Sequence, residues 1–263
     1  MIRPYSADMA SYPRYAIYFV PAPGSDLDRF GSELLGYDAL SGESLPFPDG
    51  ITQAVPDWHD LTQDPRKYGF HATLKAPFAL APGSNETKLI AACEAFAVAA
   101  RPIPVIRPVV KAISGFIAVV PAEHSVELDH LAADCVRDFD PFRAPLTAED
   151  RARRNPSALT AAQRDHLDRW GYPYVMDDFR FHMTLTGKAP AERRDQLMAL
   201  LRRRFAALDL AALAIDRIAV FRQNDPASRF RALAHFALRG AGNIAGDRHR
   251  PALLTGRPSI PER

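Results

Sequence analysis

The chain has 263 residues, of which 47% are hydrophobic and 24% are charged. This composition is that of an ordinary globular protein, and it excludes a disordered, collagen-like or coiled-coil chain. Its 33 basic and 31 acidic residues leave a net charge of only +2, which disfavours a protein that binds long nucleic acid through a basic surface. No signal peptide, bilayer-spanning apolar run or disulfide framework is visible, so we expect a cytoplasmic protein that does not bind a membrane.

Strands and helices alternate irregularly in the first half of the chain. Strands or extended runs are predicted over residues 14–20, 69–78, 103–111 and 113–120. Helices are predicted over residues 25–36, 86–100 and 126–139. Residues 41–66 are rich in Pro, Asp and Gly, and we expect a long loop with little regular structure there. Whether this loop acts as a lid over a site is left open.

The second half continues this pattern and ends in a different composition. Helices are predicted over residues 160–170 and 191–207, and strands over residues 179–186, 215–222 and 229–238. Adjacent strand pairs in an irregular order predict an α+β fold rather than a doubly wound one. We expect one domain over residues 12–239, followed by a flexible, Gly-, Pro- and Arg-rich tail over residues 240–263.

A five-residue pattern occurs twice in the chain, as FHATL at residues 70–74 and FHMTL at residues 181–185. Side chains of a strand alternate between its faces, so each copy presents its apolar residues on one face and its His and Thr on the other. A single His-x-Thr pair is more often structural, but two copies inside the same strand pattern favour a function. The repeat also predicts two similar lobes that face each other.

The paired motifs offer the groups that open a cyclic phosphodiester. This reaction needs a base to activate water and an acid to protonate the departing alkoxide, and two imidazoles in different protonation states supply both. We therefore predict His71 and His182 as the acid/base pair, in an order left open, with Thr73 and Thr184 donating to the phosphate oxygens. Such a reaction requires no metal, and we expect no cofactor.

With His71-Ala-Thr73 and His182-Met-Thr184, the sequence resembles the 2H phosphoesterase superfamily. The segments RYAIYFVPAPGSDLDRFGSELLGYD, YGFHATLKAPF and WGYPYVMDDFRFHMTLTG make it more similar to a phosphonate-metabolism-associated (DUF1045-like) bacterial branch. The resemblance covers most of residues 12–239. It implies a bilobal α+β fold with a pseudo-twofold axis, an antiparallel sheet with helices in each lobe, and a cleft between the lobes. It also implies metal-independent cleavage of cyclic phosphodiesters.

Other polar and aromatic residues near the motifs are candidates for substrate binding. They are Lys75, Arg180, Tyr18, Tyr15, Tyr68, Arg229 and Arg231. Lys75 and Arg180 share the motif face of their strands, whereas Tyr15 and Tyr18 differ in parity, so at most one of these tyrosines should face the cleft.

The favoured function is a cyclic phosphodiesterase acting on a small sugar phosphate, such as a ribose 1,2-cyclic phosphate of phosphonate catabolism. One alternative is an enzyme for 2′,3′-cyclic nucleotides or RNA ends. The other is a nucleotide- or RNA-binding module without turnover. The sequence contains no Walker phosphate-binding lysine motif, and the oligomeric state is left open.

Overall fold

The computed structural model describes residues 12–240 and 252–253, and one large antiparallel sheet dominates it. The strands are β1 (Arg14–Phe19), β2 (Ala72–Ala79), β3 (Val105–Ile106), β4 (Pro108–Ile113), β5 (Phe116–Pro121), β6 (Met183–Thr184), β7 (Leu213–Ala214), β8 (Arg217–Gln223), β9 (Arg231–Ala237) and β10 (Ala252–Leu253). Eight of them pair in the order β10-β9-β8-β1-β2-β6-β5-β4, while β3 and β7 form a separate pair.

Helices connect these strands, and their ends follow ordinary capping chemistry. They are α1 (Asp26–Leu35), α2 (Ile51–Ala54), α3 (Trp58–Leu61), α4 (Gln63–Arg66), α5 (Glu86–Val98), α6 (Val126–Asp138), α7 (Ala148–Ala152), α8 (Ala161–Trp170) and α9 (Ala191–Ala206). The Ser25 side chain accepts from the Asp28 backbone N–H at the start of α1, and Gly36 ends α1 in the left-handed region. Thr160 and Gln163 form a reciprocal capping box at the start of α8.

The predicted α+β class, with antiparallel strands and helices, is confirmed. The strands of the two predicted lobes are joined edge to edge through β2 and β6, which are neighbours at the centre of the sheet. β1, β8 and β9 continue the sheet beyond β2, and β5 and β4 continue it beyond β6. The two strands that carry the repeated motif are therefore the innermost strands of the two halves.

The main hydrophobic core lies on the sheet face opposite the motif histidines. Ala72, Leu74, Met183 and Leu185 are at most 2% exposed and belong to this core. A smaller apolar cluster, which includes Tyr18, lies on the histidine face. The alternation of strand side chains thus assigns one face of β2 and β6 to packing and leaves the other for polar groups.

The segment over residues 41–66 is not the irregular loop that its composition predicts; that prediction was wrong. It contains α2, α3 and α4, and Ile51 and Trp58 are fully buried in the main core. The Trp58 indole N–H donates to the Leu34 carbonyl at 2.8 Å, and the Arg66 guanidinium donates to the Leu35 carbonyl at 2.6 Å. Apolar anchors and backbone hydrogen bonds hold the segment against α1, which a count of Pro and Gly cannot reveal.

Most of the predicted flexible tail, residues 241–251 and 254–263, lies outside the described residues. Ala252 and Leu253 are described, and they pair with His235 and Ala234 of β9. Among the described helices, none combines the length and the apolarity needed to cross a bilayer.

Candidate active site

The two motifs are adjacent because β2 and β6 pair in antiparallel register. Ala72 lies opposite Met183. Continuing that register by one residue in each direction places His71 beside Thr184 and Thr73 beside His182, all four on the face away from the main core. Each histidine therefore lies next to the threonine of the other motif.

A backbone carbonyl orients each imidazole in the same way. Nδ1 of His71 lies 2.9 Å from the Gly69 carbonyl oxygen, and Nδ1 of His182 lies 2.7 Å from the Arg180 carbonyl oxygen. A carbonyl oxygen only accepts, so Nδ1 carries the proton in both rings. Nε2 is then unprotonated in each neutral ring, and Nε2 of His71 is 3.3 Å from Thr73 Oγ1.

His71 is partly buried and packs against an aromatic ring. Its ring stacks on the Tyr18 ring, with centroids 3.8 Å apart and planes inclined by 24°. Burial, and to a smaller degree the nearby charge of His182, lowers the pKa of His71 to about 4, although the Gly69 carbonyl opposes this shift. His71 is therefore a neutral imidazole at neutral pH in the ligand-free protein.

His182 has a different neighbourhood. The Phe116 ring of β5 lies 5.5 Å away between centroids, and no tyrosine of the described residues stacks on His182. Burial lowers the pKa of His182, while the Arg180 carbonyl opposes this change. The two imidazoles thus share their backbone anchor and differ in what covers the ring.

Two adjoining cavities open along this face of the sheet. His71 and Thr184 line the first cavity, and His182 lines the second. Both cavities are lined by Thr73, Ala76, Tyr172 and Val175. Thr73 therefore lies where the two cavities meet, and the segment that contains Tyr172 and Val175 borders both.

Lys75 lines the first cavity, but its ammonium group already makes hydrogen bonds to other groups of the protein. Nζ donates to the Val136 carbonyl at 2.8 Å and to Asp140 Oδ1 at 2.7 Å, and Asp140 also accepts from Arg143. Burial lowers the pKa of Lys75 to about 8, against the opposing effect of Asp140. The structure thus places Lys75 as part of a buried ion-pair network, with two of its three donors used.

The other predicted substrate-binding residues separate into two groups. Tyr18 and Tyr68 line the first cavity, and Arg180 lines the second. Tyr15 lies away from both: its hydroxyl donates to Glu86 of α5 at 3.0 Å. As the strand parity predicts, only one of the two β1 tyrosines faces the cavity.

Arg229 and Arg231 do not line either cavity. The Arg229 guanidinium lies 4.7 Å from the centroid of the Tyr37 ring and donates to Ser44 Oγ at 3.1 Å. Arg231 lies beside Gly42. Both arginines therefore contact the turn that follows α1 rather than the cavities.

Several cavity residues were not predicted from the sequence. Arg14, Arg143, Arg153, Arg154 and Tyr172 all line the first cavity. Arg14 begins β1, and the others lie in the region between α6 and β6, outside both motifs. Among the residues that the structure describes, no group of three His, Cys, Asp or Glu side chains is arranged to hold a metal ion.

A family model described as "Protein of unknown function (DUF1045)" matches residues 73–231, more than half of the chain. The chain belongs to the DUF1045 family. The matched range of this DUF1045 chain begins inside the first motif and contains the whole of the second.

The DUF1045 chain is also similar to two longer curated proteins, both named ribose 1,5-bisphosphate phosphokinase PhnN. The relative from Janthinobacterium sp. (strain Marseille) is 37% identical over 245 residues, which are 91% of this chain and 54% of that protein. The relative from Laribacter hongkongensis (strain HLHK9) is 32% identical over 176 residues, 66% of this chain and 40% of that protein. The chain thus spans about half the length of the curated relatives it matches, or less.

Solved structures offer more distant likenesses. Escherichia coli LigT complexed with 3′-AMP has 12% identity and a TM-score of 0.38, covering 87% of this chain and 99% of that one. A conserved protein of unknown function from Agrobacterium tumefaciens has 14% identity and a TM-score of 0.41, covering 89% of this chain and 90% of that one.

Proposed function

We propose that this protein is a phosphodiesterase that hydrolyses a cyclic phosphodiester on a small sugar phosphate, with His71 and His182 as its acid/base pair. The observation that carries the proposal is the register of β2 and β6, which pairs Ala72 with Met183 and so places each motif histidine beside the other motif's threonine. Packing does not require two titratable and two hydroxyl groups on one face. General acid/base chemistry at one phosphorus does require such groups.

The strongly lowered pKa of His71 supports an order for the two histidines. His71 has its pKa lowered to about 4, so it is neutral at neutral pH and fits the base that takes a proton from water. His182 then fits the acid, because the charge of His182 contributes to keeping His71 deprotonated. An anionic phosphate bound between the rings raises the pKa of both, which favours a proton on His182 in the complex.

In the proposed reaction, Nε2 of His71 removes a proton from a water molecule while the water oxygen attacks phosphorus. One P–O bond of the ring breaks, and Nε2–H of His182 protonates the departing sugar oxygen. The product is a phosphate monoester with a free neighbouring hydroxyl. The hydroxyls of Thr73 and Thr184 donate to the non-bridging oxygens, which gain charge in the transition state. Protonation of the leaving group makes the step feasible without a metal.

The names of the curated relatives support a ribose substrate. Hydrolysis of a ribose 1,2-cyclic phosphate at the bond between phosphorus and O2 leaves the phosphate on O1. A ribose 1-phosphate unit is also present in the ribose 1,5-bisphosphate of the relatives' name. We therefore propose that this chain generates the phosphate on O1 of a ribose ester, an activity distinct from the phosphorylation that the name describes.

Turnover of defined substrates tests the proposal. Purified protein is incubated in excess EDTA with ribose 1,2-cyclic phosphate and, separately, with 2′,3′-cyclic AMP, and the products are followed by ³¹P NMR. We expect the ribose ester to be hydrolysed faster, with phosphate retained on O1. Faster hydrolysis of 2′,3′-cyclic AMP would favour the nucleotide alternative, and binding of both esters without products would favour a binding module. Activity that EDTA abolishes would contradict the metal-free mechanism.

A further inference from the structure

The cationic residues of the first cavity fall into two classes. Three of them form ion pairs within the protein: Lys75 and Arg143 share Asp140, and Arg153 pairs with Glu149 and Asp150. Because carboxylates already bind these three groups, they are less available to a ligand than a cation without such a partner.

Arg14 and Arg154 form the second class. Neither guanidinium lies within 4.0 Å of a carboxylate among residues 12–240 and 252–253, although both side chains are half-buried. Arg14 has one long hydrogen bond, 3.5 Å to the Pro77 carbonyl oxygen. Arg154 lies over the Tyr172 ring at 4.9 Å from its centroid, which holds the guanidinium against an aromatic face.

Partly buried arginines without a counterion carry a desolvation cost that an anionic ligand would remove. Arg14 comes from the first strand and Arg154 from the segment after α7, so the fold brings them to one cavity over a separation of 140 positions in the chain. Guanidinium groups bind phosphate oxygens in pairs with fixed geometry, and they are common wherever a phosphate dianion is recognised.

The hydroxyl of Tyr18 provides an independent observation. Tyr18 is 1% exposed and lines this cavity, yet no group within the described part of the chain makes a hydrogen bond with its hydroxyl. A tyrosine hydroxyl that lines a cavity can donate to a ligand oxygen. Burial raises the pKa of Tyr18 well above its usual value, while the charges of Arg14 and Arg154 act in the opposite direction. Both guanidinium groups are therefore close enough to influence this hydroxyl.

We propose that Arg14, Arg154 and the Tyr18 hydroxyl bind a second phosphate of the substrate, a monoester on the sugar at a position remote from the cyclic diester. This inference rests on the proposed function and deepens it. Tyr18 connects the two ends of the site, because its ring stacks on His71 and its hydroxyl is directed toward the second phosphate. The substrate class is then a cyclic sugar phosphate that also carries a phosphate monoester.

The size of the cavity agrees with this class of substrate. Its volume is about 360 Å³, near the lower limit of the roughly 300–1,000 Å³ of typical ligand sites. Such a space suits a pentose with two phosphates. The monoester takes no part in bond breaking, so its binding energy acts through positioning and raises kcat/KM for substrates that carry it.

The test compares two esters: ribose 1,2-cyclic phosphate and the same ester with a 5-phosphate. We expect the wild-type protein to prefer the 5-phosphorylated ester by about 10²-fold or more in kcat/KM, as one well-paired phosphate contributes several kcal/mol. In R14Q/R154Q this preference should fall to within a few-fold of one. R151Q is the matched control, because Arg151 pairs with Asp168 on the surface and does not line the cavity; it should keep the preference.

Equal kcat/KM for the two esters in the wild-type protein would overturn the second-phosphate site. So would a preference that survives in R14Q/R154Q. Binding of ribose 5-phosphate, measured by calorimetry, separates this inference from the proposed function, since that ligand has no cyclic diester to open. Binding that R14Q/R154Q abolishes and R151Q retains supports the phosphate site, even in a protein that hydrolyses neither ester, whereas absence of binding counts against it.

Discussion

The two copies of the motif have the same sequence pattern and different surroundings. His71 and His182 each donate Nδ1–H to the carbonyl two residues earlier, at 2.9 and 2.7 Å. Only His71 stacks on a tyrosine, and only His71 has its pKa lowered to about 4. The comparison teaches that a repeat fixes which groups meet, whereas the elements packed around each copy decide how each group titrates.

The backbone that anchors the two histidines differs as well. Gly69 has a φ of +76°, and a Cβ at this position would lie 2.5 Å from the Ala39 Cβ. The corresponding residue of the second copy is Arg180, whose side chain lines the second cavity. The first copy therefore depends on a glycine for its carbonyl anchor, while the second copy uses that position for a cation.

The largest effect is expected when either imidazole is removed. H71A and H182A should each reduce kcat by about 10²- to 10⁴-fold, because either change removes one of two proton transfers. Rates on the cyclic ribose ester measure the loss, and circular dichroism checks the fold. H124A is the matched control, since His124 is exposed and pairs with Asp129. Retention of near wild-type activity in either motif variant would show that the motifs do not act as a pair.

Removing the hydroxyls should have the next largest effect. T73V and T184V keep the shape of the side chain and lose one donor to the phosphate, so each should lower kcat by about 10²-fold. T73V should cost more, because Thr73 lies where the two cavities meet and also contacts Nε2 of His71. A loss confined to KM would assign the hydroxyls to binding rather than to the transition state.

Because the pKa of His71 is lowered in the folded protein, the free energy of unfolding should depend on pH. Between about pH 6.5 and 4 the unfolded chain protonates this imidazole and the folded chain does not. The free energy of unfolding therefore falls as the pH falls through this range, by on the order of 3 kcal/mol for His71. Urea unfolding of the wild-type protein and H71Q at pH 7.5 and 4.5 measures the effect, which H71Q should reduce. An equal loss in both proteins would contradict the burial of a neutral His71.

The smallest effects distinguish the two tyrosines of β1. Y18F keeps the ring that stacks on His71 and loses the hydroxyl, so it should lower kcat/KM for the 5-phosphorylated ester by about 10-fold. Y15F loses a hydrogen bond to Glu86 on the other side of the sheet; it should lower stability by about 1 kcal/mol and leave kcat/KM within twofold. The opposite result would place Tyr15, and not Tyr18, at the site.

Local sequence signals predicted most of the elements and the central residues of the candidate site. Ser25 caps the start of α1 and Gly36 ends it, as their capping chemistry predicts. The alternation of side chains in FHATL and FHMTL correctly separates core residues from polar ones. Lys75 shows the limit of the same rule. Its parity places it on the motif face, but only the tertiary structure brings Val136 and Asp140 to its ammonium group.

By itself the sequence determined the α+β class, the two His-x-Thr pairs and the face on which they lie, because side-chain periodicity and capping are local properties of the chain. Tertiary structure alone decided that β2 and β6 are neighbours, that Arg14 and Arg154 share a cavity with His71, and that Arg229 and Arg231 lie elsewhere. Strand pairing and charge burial depend on contacts between residues far apart in the chain. No local pattern encodes which distant segment will supply the partner.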